Sequence, residues 1–140
     1  MRIYVAGPYA KRLELQAVAN RIAEEGHDVT SEWLWSDDRA SESSKTAAAD
    51  LIDINTSDVF LAMTEPPESN YSSGGRHFEA GWAYQLLVCG EAMKHLCFIG
   101  PRENVFYHLQ SWRRCRDVDD FLAYLADVEA EASLREDKMG

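Results

Sequence analysis

The sequence predicts a three-layer α/β domain of the Rossmann-like or flavodoxin-like kind, with a mainly parallel sheet of four to five strands. Short apolar segments with strand character alternate with helical segments along the chain, which is typical of βαβ units with right-handed crossovers. Gly7-Pro8 and Gly100-Pro101 end two of the strand-like segments. The 140 residues, 46% of them apolar, are expected to form a single domain, residues 1–140, around one core.

The first half of the chain predicts three strands separated by two helices. Residues 1–6 (MRIYVA) form an apolar strand, and residues 13–25 carry an apolar stripe at helical spacing. Residues 28–34 (DVTSEWL) are rich in β-branched and aromatic side chains and predict a second strand. Residues 45–55 are rich in alanine and predict a helix, and the apolar run Val59–Met63 predicts a central strand.

The second half continues the alternation. A loop at residues 64–76 is followed by a helix that carries Glu79 and ends near residue 89. The remaining predicted elements are strands at His95–Ile99 and Trp112–Cys115, a helix at residues 118–128, and a polar, frayed end at residues 129–140. Ligands of such sheets bind at the carboxyl ends of the strands, near the point where strand order reverses. The first, third and fourth strand exits and Glu79 are all expected at that edge.

Charge and composition argue against several partners. The chain has 24 acidic and 14 basic residues, a net charge of -10, and no lysine–arginine cluster, so a nucleic-acid polymer is not an expected partner. A small phosphorylated ligand needs only a few local donors and stays possible. No run of about 18 apolar residues occurs, which argues against a membrane span or a secretory leader.

The three cysteines predict free thiols in a reducing compartment. Cys89, Cys97 and Cys115 are odd in number, lie in or beside apolar segments and lack the spacing of a zinc site. Buried free thiols, no metal and a cytoplasmic location are therefore expected.

Carboxylates are the remaining candidates for chemistry, since the GxGxxG, GxxxxGK[ST] and GxSxG motifs are all absent. The segment SSGGRHFEAGWA places Glu79 after a glycine loop, and a position in the first turn of a helix would favour its charged form. Asp50 and Asp53 lie on one helical face. Asp53 and Asp58 are interpreted as a solvated residue and a turn or cap. Asp50 and Glu79 beside a tyrosine would suit glycosidic chemistry.

Three motifs in this order resemble the nucleoside 2-deoxyribosyltransferase family, which includes the deoxynucleoside 5'-monophosphate N-hydrolases. They are Tyr4 within IYVAGP, Asp50 eight residues before Asp58, and SSGGRHFEAGWA with its helical Glu79. The resemblance covers roughly residues 2–109. It implies a small-molecule deoxynucleoside or deoxynucleotide substrate, no cofactor, and a homodimer or larger homo-oligomer with shared active sites.

The resemblance also assigns roles to individual residues. Glu79 matches the nucleophile that attacks C1' of a 2'-deoxyribosyl group, Tyr4 the tyrosine that orients it, and Asp50 an aspartate that contacts the sugar and assists proton handling. The matching substrate-binding positions are Gly7 and Tyr9 in the first loop, Ser73 and Gly75 near the 5' end, and Asn104 as the residue reaching a neighbouring subunit, with Tyr107 and His108 as nearby options.

The substrate stays open between two members of the family. Ser73, where transferases tend to have an aspartate, favours a 5'-phosphate, because a hydroxyl does not repel it. Ala10 stands where the hydrolases have a phosphate-facing arginine, and Lys11 or Arg12 would have to replace that arginine. Transfer to another base is the first interpretation, and hydrolysis of deoxynucleoside monophosphates is the second. A non-catalytic nucleotide-binding module is the third.

Plainer interpretations exist for several of these residues. Tyr4 could be a core residue, and Glu79 an ordinary acidic residue near a helix start. Arg76 and His77 are either phosphate or base contacts or a solvated pair in a loop. Trp33 and Trp35, on one face of the predicted second strand, either stack on a nucleobase or belong to the core.

Overall fold

The computed structural model describes residues 1–36, 44–69 and 74–139. It contains a five-stranded sheet in the order β2-β1-β3-β4-β5, and every described strand pairing is parallel. The strands and α-helices, in chain order, are β1 (Arg2–Ala6), α1 (Arg12–Glu24), β2 (Asp28–Val29), α2 (Ser44–Asn55), β3 (Val59–Met63), α3 (Gly75–Val88), β4 (His95–Ile99), β5 (Trp112–Cys115) and α4 (Val118–Met139). The predicted α/β fold class is confirmed.

Helices cover both faces of the sheet. Side chains alternate along β1, so that Ile3 and Val5 face the layer of α1 and α4, whereas Tyr4 and Ala6 face the layer of α2 and α3. Strand order reverses between β1 and β3, which pair in register from Ile3 with Val59 onward. Tyr4 therefore lies beside the point where such folds bind ligands.

The second strand is much shorter than predicted. Of the residues 28–34 that were predicted as a strand, Asp28–Val29 alone form a strand paired with β1. Glu32–Trp35 form a 3-10 helix instead. The indole N–H of Trp33 donates to the carbonyl oxygen of Val5 at 2.9 Å, which draws this segment over the edge of the sheet. Trp33 is half-buried and Trp35 is exposed. The predicted strand face shared by the two tryptophans is therefore wrong.

The last helix is longer than predicted. Residues 118–128 were expected to be helical and residues 129–140 to be frayed, but α4 continues to Met139. Its second half is exposed, so only its beginning, with Phe121, Leu122 and Leu125, packs on the sheet. The apolar stripe that marks a buried helix face ends there, which explains why the pattern stops before the helix does.

Two of the three cysteines are buried, and the helices can be compared with the length of a membrane span. Cys97 and Cys115 are buried as predicted, whereas Cys89 is exposed at the end of α3, so the prediction of a buried thiol is wrong at that position. Within the described ranges, none of the helices combines the length and the apolar character needed to span a membrane.

Candidate active site

Tyr4 and Glu79 meet between β1 and α3. Tyr4 is fully buried, its ring stacks on that of Phe60 with centroids 5.6 Å apart, and its hydroxyl donates a short hydrogen bond to Oε2 of Glu79. Tyr4 and Phe60 are register partners on neighbouring parallel strands, so the sheet itself holds the ring. The tyrosine is thus both a core residue and a polar partner of the glutamate.

The sequence predicts Glu79 in the first helical turn, but it lies in the second. The helix α3 begins at Gly75, after Gly74 adopts a left-handed φ of 80°, and Glu79 starts the second turn. Burial raises the pKa of Glu79 to about 7, the hydrogen bond from Tyr4 opposes this rise, and the charge of Asp50 adds to it. The expectation that a helix start would favour the charged form is therefore wrong, because the loss of water outweighs the helix dipole.

Small residues bring α3 close to the sheet. Ala80 and Ala83 are buried against the layer that contains Tyr4. Gly81 takes no part in this packing, since it is exposed and a Cβ there would meet no atom of the described residues within 4 Å. Close packing at Ala80 places the neighbouring Glu79 against β1.

Asp50 lies on α2 and is half-buried. Burial raises its pKa to about 6, with a further contribution from the charge of Asp53. Burial and the charges of Glu79, Asp50 and Asp53 hold the pKa of Tyr4 far above its ordinary range. The structure therefore brings together the three predicted catalytic side chains, from β1, α2 and α3, in one electrostatically coupled group.

Asp53 and Asp58 have structural partners. Oδ2 of Asp58 accepts the backbone N–H of Arg2 at 2.8 Å, and its carboxylate pairs with the Arg2 guanidinium at 3.8 Å. Asp53 is half-buried and lies 3.4 Å from the backbone nitrogen of Glu32. Asp58 thus holds the start of β1 from the bend before β3 and is not a helix cap, and Asp53 is partly exposed rather than fully solvated.

The first loop follows β1 as a 3-10 helix, Tyr9–Lys11. A Cβ at Gly7 would lie 2.6 Å from Cδ1 of Leu15 and 3.4 Å from Cβ of Met63, so a larger residue where β1 meets α1 and β3 would require the Leu15 side chain to move. The Tyr9 hydroxyl donates to the carbonyl oxygen of Ser36 at 3.0 Å, and its ring lies 6.4 Å from that of Trp33. Tyr9 and Trp33 thus form an aromatic pair beside the exit of β1.

The two cations considered for a 5'-phosphate have other contacts. Nζ of Lys11 lies 2.6 Å from Oε1 of Glu65, which follows β3, and the guanidinium of Arg12 lies 5.0 Å from the centroid of the Tyr9 ring. Gly75 is exposed as the first residue of α3. Ser73 lies outside the described residues.

Asn104 begins the 3-10 helix Val105–His108 after β4. Its Oδ1 accepts the backbone N–H of Phe106 at 3.0 Å, and its Nδ2 lies 3.4 Å from Nδ1 of His77 on α3. Tyr107 is buried, with its ring 4.9 Å from that of Trp112, whereas His108 is exposed. Asn104 therefore borders the start of α3 within its own chain.

Sequence reasoning missed a buried ion pair at the same edge. Arg76 donates a short hydrogen bond to Oε2 of Glu103, and both side chains are 8% exposed. Oε1 of Glu103 accepts the backbone N–H of Glu65 at 3.0 Å. The sole sequence signal for Glu103 is its place just after the glycine–proline pair that ends β4. The interpretation of Arg76 as a solvated loop residue is wrong.

Comparison with known proteins identifies a similar fold. No protein-family model matches the sequence, and no curated protein matches it. The solved structure of a CMP N-glycosidase from Clostridium botulinum, BcmB, is similar with a TM-score of 0.55 and 20% sequence identity, over 90% of this chain and 98% of that one. The likeness extends over nearly the whole of both chains and concerns the fold.

Proposed function

We propose that the protein cleaves the N-glycosidic bond of 2'-deoxynucleosides, with Glu79 as nucleophile, and transfers the deoxyribosyl group to another nucleobase. The observation that carries this proposal is the contact between Glu79 and the hydroxyl of Tyr4, with Asp50 in the same electrostatic group. A double displacement at an anomeric carbon uses one carboxylate as nucleophile and a second carboxyl group as acid and base, and the Tyr4 hydroxyl can hold the first of these in place.

In the first step, an oxygen of ionised Glu79 attacks C1'. A C1'–O ester bond forms as the C1'–N bond breaks, and the electron pair of that bond leaves with the base. Asp50 supplies the proton that the departing base takes up, since its pKa of about 6 leaves part of it protonated near neutrality. Tyr4 keeps its proton and holds the attacking carboxylate in place.

In the second step, a nitrogen of the acceptor base attacks C1' and the ester bond breaks. Glu79 recovers its carboxylate, and Asp50 takes the proton that the acceptor loses. Two displacements, each with inversion, give net retention at C1'.

Hydrolysis of a nucleoside 5'-monophosphate is the second candidate. It uses the same first step and water as the acceptor. The fold likeness to a protein described as a CMP N-glycosidase supports it, as does Ser73 in the segment before α3. The pairing of Lys11 with Glu65 favours the free nucleoside instead, because the carboxylate already neutralises that cation.

We also infer that the protein works as a homo-oligomer. Phe78 and Phe106 are 65% and 67% exposed, and Trp82 lies one turn beyond Phe78 on α3. The contact between Asn104 and His77 brings the segment after β4 beside the start of α3, the helix that carries Phe78 and the proposed nucleophile. A second copy of the chain covering this surface would exclude water from the site and bring its own residues to it.

The test is a panel of substrates. The protein is incubated with 2'-deoxynucleosides, with their 5'-monophosphates and with CMP, each with and without a second free base, and chromatography follows released and exchanged bases. Base exchange that depends on the added base supports the transferase. Free base released from monophosphates without an acceptor supports the hydrolase, and binding without turnover supports a non-catalytic module.

Two variants make the test specific to the mechanism. Glu79→Gln should abolish turnover, and acid-quenched wild-type protein given substrate without acceptor should carry a sugar adduct on the peptide that contains Glu79. Glu25→Gln removes a carboxylate from an exposed ion pair with Arg21 and should leave turnover unchanged. Full activity in Glu79→Gln would contradict the proposed mechanism.

A further inference from the structure

A buried carboxylate outside the proposed catalytic group joins three segments of the chain. Glu103, after β4, accepts from the guanidinium of Arg76 on α3 and from the backbone N–H of Glu65 after β3. Nε2 of His77 lies 3.4 Å from the same carboxylate. Both oxygens of Glu103 are therefore used, and each holds a different segment.

The ion pair between Arg76 and Glu103 adds little net stability to the fold. Two charges that are 8% exposed lose most of their hydration, and their attraction only roughly balances that loss. An uncharged pair of similar volume would stabilise the fold about as well. A charge-assisted pair with defined directions does, however, fix the relative position of the groups it joins.

The position that it fixes is that of the first turn of α3. Arg76 lies three residues before Glu79 and four before Ala80, so all three share the inner side of the helix. Gly74, which precedes the helix, and Gly75, which begins it, have no side chains, and a Cβ at either would meet no atom of the described residues within 4 Å. Among the described side chains, that of Arg76, with its contact to Glu103, is thus the first on the helix that anchors it.

We propose that Glu103 is a positioning residue, which holds the start of α3 through Arg76 so that Glu79 meets the hydroxyl of Tyr4. The catalytic consequence rests on the proposed function, whereas the geometric part does not. Loss of the ion pair lets the first turn of α3 move away from β4 and admits water to Glu79. Displacement of a reacting group by about 1 Å is enough to lower turnover by about a hundredfold.

The double variant Arg76→Met/Glu103→Gln tests this role, because it removes the ion pair without changing the net charge of the site. Carboxyl NMR titration of Glu79 needs no substrate and is the first measurement. We expect the pKa of Glu79 to fall from about 7 toward its ordinary 4.5, as water reaches the carboxylate. Turnover should fall at least tenfold, with KM changed much less. Glu25→Gln is the matched control, and both of its values should equal those of the wild type.

Each outcome has a defined meaning. A folded double variant with wild-type titration of Glu79 and wild-type turnover overturns the positioning role. If the double variant does not fold, Arg76→Lys is measured instead, because lysine keeps the positive charge but lacks the several directed N–H donors of the guanidinium. A shifted titration of Glu79 in Arg76→Lys supports the positioning role, and an unshifted titration overturns it. If Glu79 titrates at lower pH in the variant but even the wild type turns over no substrate, the positioning role stands and the proposed function fails.

Discussion

Burial and the neighbouring carboxylates raise the pKa of Tyr4, so they oppose ionisation of its hydroxyl. The protonated hydroxyl donates a hydrogen bond to Glu79. Such a donor orients the carboxylate. Because it also stabilises the charged form, it lowers the pKa of Glu79 relative to what burial alone would produce.

Removal of this hydroxyl should affect both rate and pH dependence. Tyr4→Phe is expected to lower kcat about a hundredfold, as the loss of one preorganised donor typically does, with little change in KM. Because the donor that favours the ionised form is gone, the pKa of Glu79 should rise above about 7, and the acid limb of kcat/KM should move to higher pH. Steady-state kinetics across the pH range measures both.

The control is Tyr124→Phe, which removes a hydroxyl that contacts Nδ1 of His95 at 3.0 Å in the layer of α4. Its kcat should equal that of the wild type. A Tyr4→Phe variant with kcat within twofold of the wild type would show that the hydroxyl does not orient the nucleophile.

Burial of Glu79 should also make folding stability depend on pH. Its folded pKa of about 7 exceeds the ordinary 4.5, so the folded state binds the proton more tightly than the unfolded chain does. Stability from this group is complete below about pH 4.5 and is lost as pH rises through about 7. The full difference corresponds to about 3 kcal/mol.

Glu79→Gln has no such group to ionise. Relative to the wild type it should gain stability between about pH 5 and about pH 8, by up to about 3 kcal/mol, measured by urea unfolding at both values. The exposed control Glu25→Gln should follow the wild type at both pH values. If the unfolding free energies of Glu79→Gln and the wild type differ by the same amount at both pH values, the pKa of Glu79 is not raised by burial.

Gly100 directly follows β4 and packs against Thr64, which directly follows β3. Its φ is 121°, and a Cβ there would lie 2.4 Å from Oγ1 and 2.7 Å from the carbonyl oxygen of Thr64. Thr64 in turn donates through its N–H to Ile99 and through its hydroxyl to Pro101. The loop that carries Glu103 therefore leaves β4 in contact with the end of β3.

Gly100→Ala should be much more destabilising than Gly26→Ala. Gly26 also has a positive φ, 90°, but no atom of the described part of the chain lies within 4 Å of its Cβ position, so alanine there costs about 1 kcal/mol from the backbone alone. At Gly100 the clash with Thr64 adds about 1–3 kcal/mol. The midpoints of urea unfolding measure the difference, and equal midpoints would mean that the two loops relax without cost.

Elements were predicted well where one local pattern decides them. The apolar runs of β1, β3 and β4 and the helical stripe of α1 are properties of neighbouring residues, and those elements match the structure closely. The segment after β2 was mispredicted, because its aromatic and β-branched composition favours a strand while a bond from Trp33 to Val5 and the edge position favour a 3-10 helix. Tertiary contacts overrode propensity there.

In the whole molecule, the exposed aromatic residues Phe78 and Phe106 predict self-association. Light scattering coupled to size-exclusion chromatography should give a mass at least twice the 15.9 kDa of one chain. Phe106→Ser should lower that mass, because it removes an exposed aromatic side chain from the proposed interface. Leu134→Ser, at a similarly exposed position on α4, is the control and should leave the mass unchanged. A wild-type mass of one chain at all concentrations would contradict this prediction.

Local patterning in the chain was sufficient for the α/β class, the order of the main elements and the expectation that strand exits converge on one edge. Family resemblance added the names Tyr4, Asp50 and Glu79. The resemblance already implied that the Tyr4 hydroxyl orients Glu79, which is 75 residues away, but neither source contained the pair of Arg76 with Glu103, which are 27 residues apart. Such contacts depend on how layers pack, and the pKa of Glu79 depends on how much water that packing excludes. A helix start would have favoured the charge of Glu79, but in the folded protein Glu79 begins the second turn and desolvation there favours its neutral form.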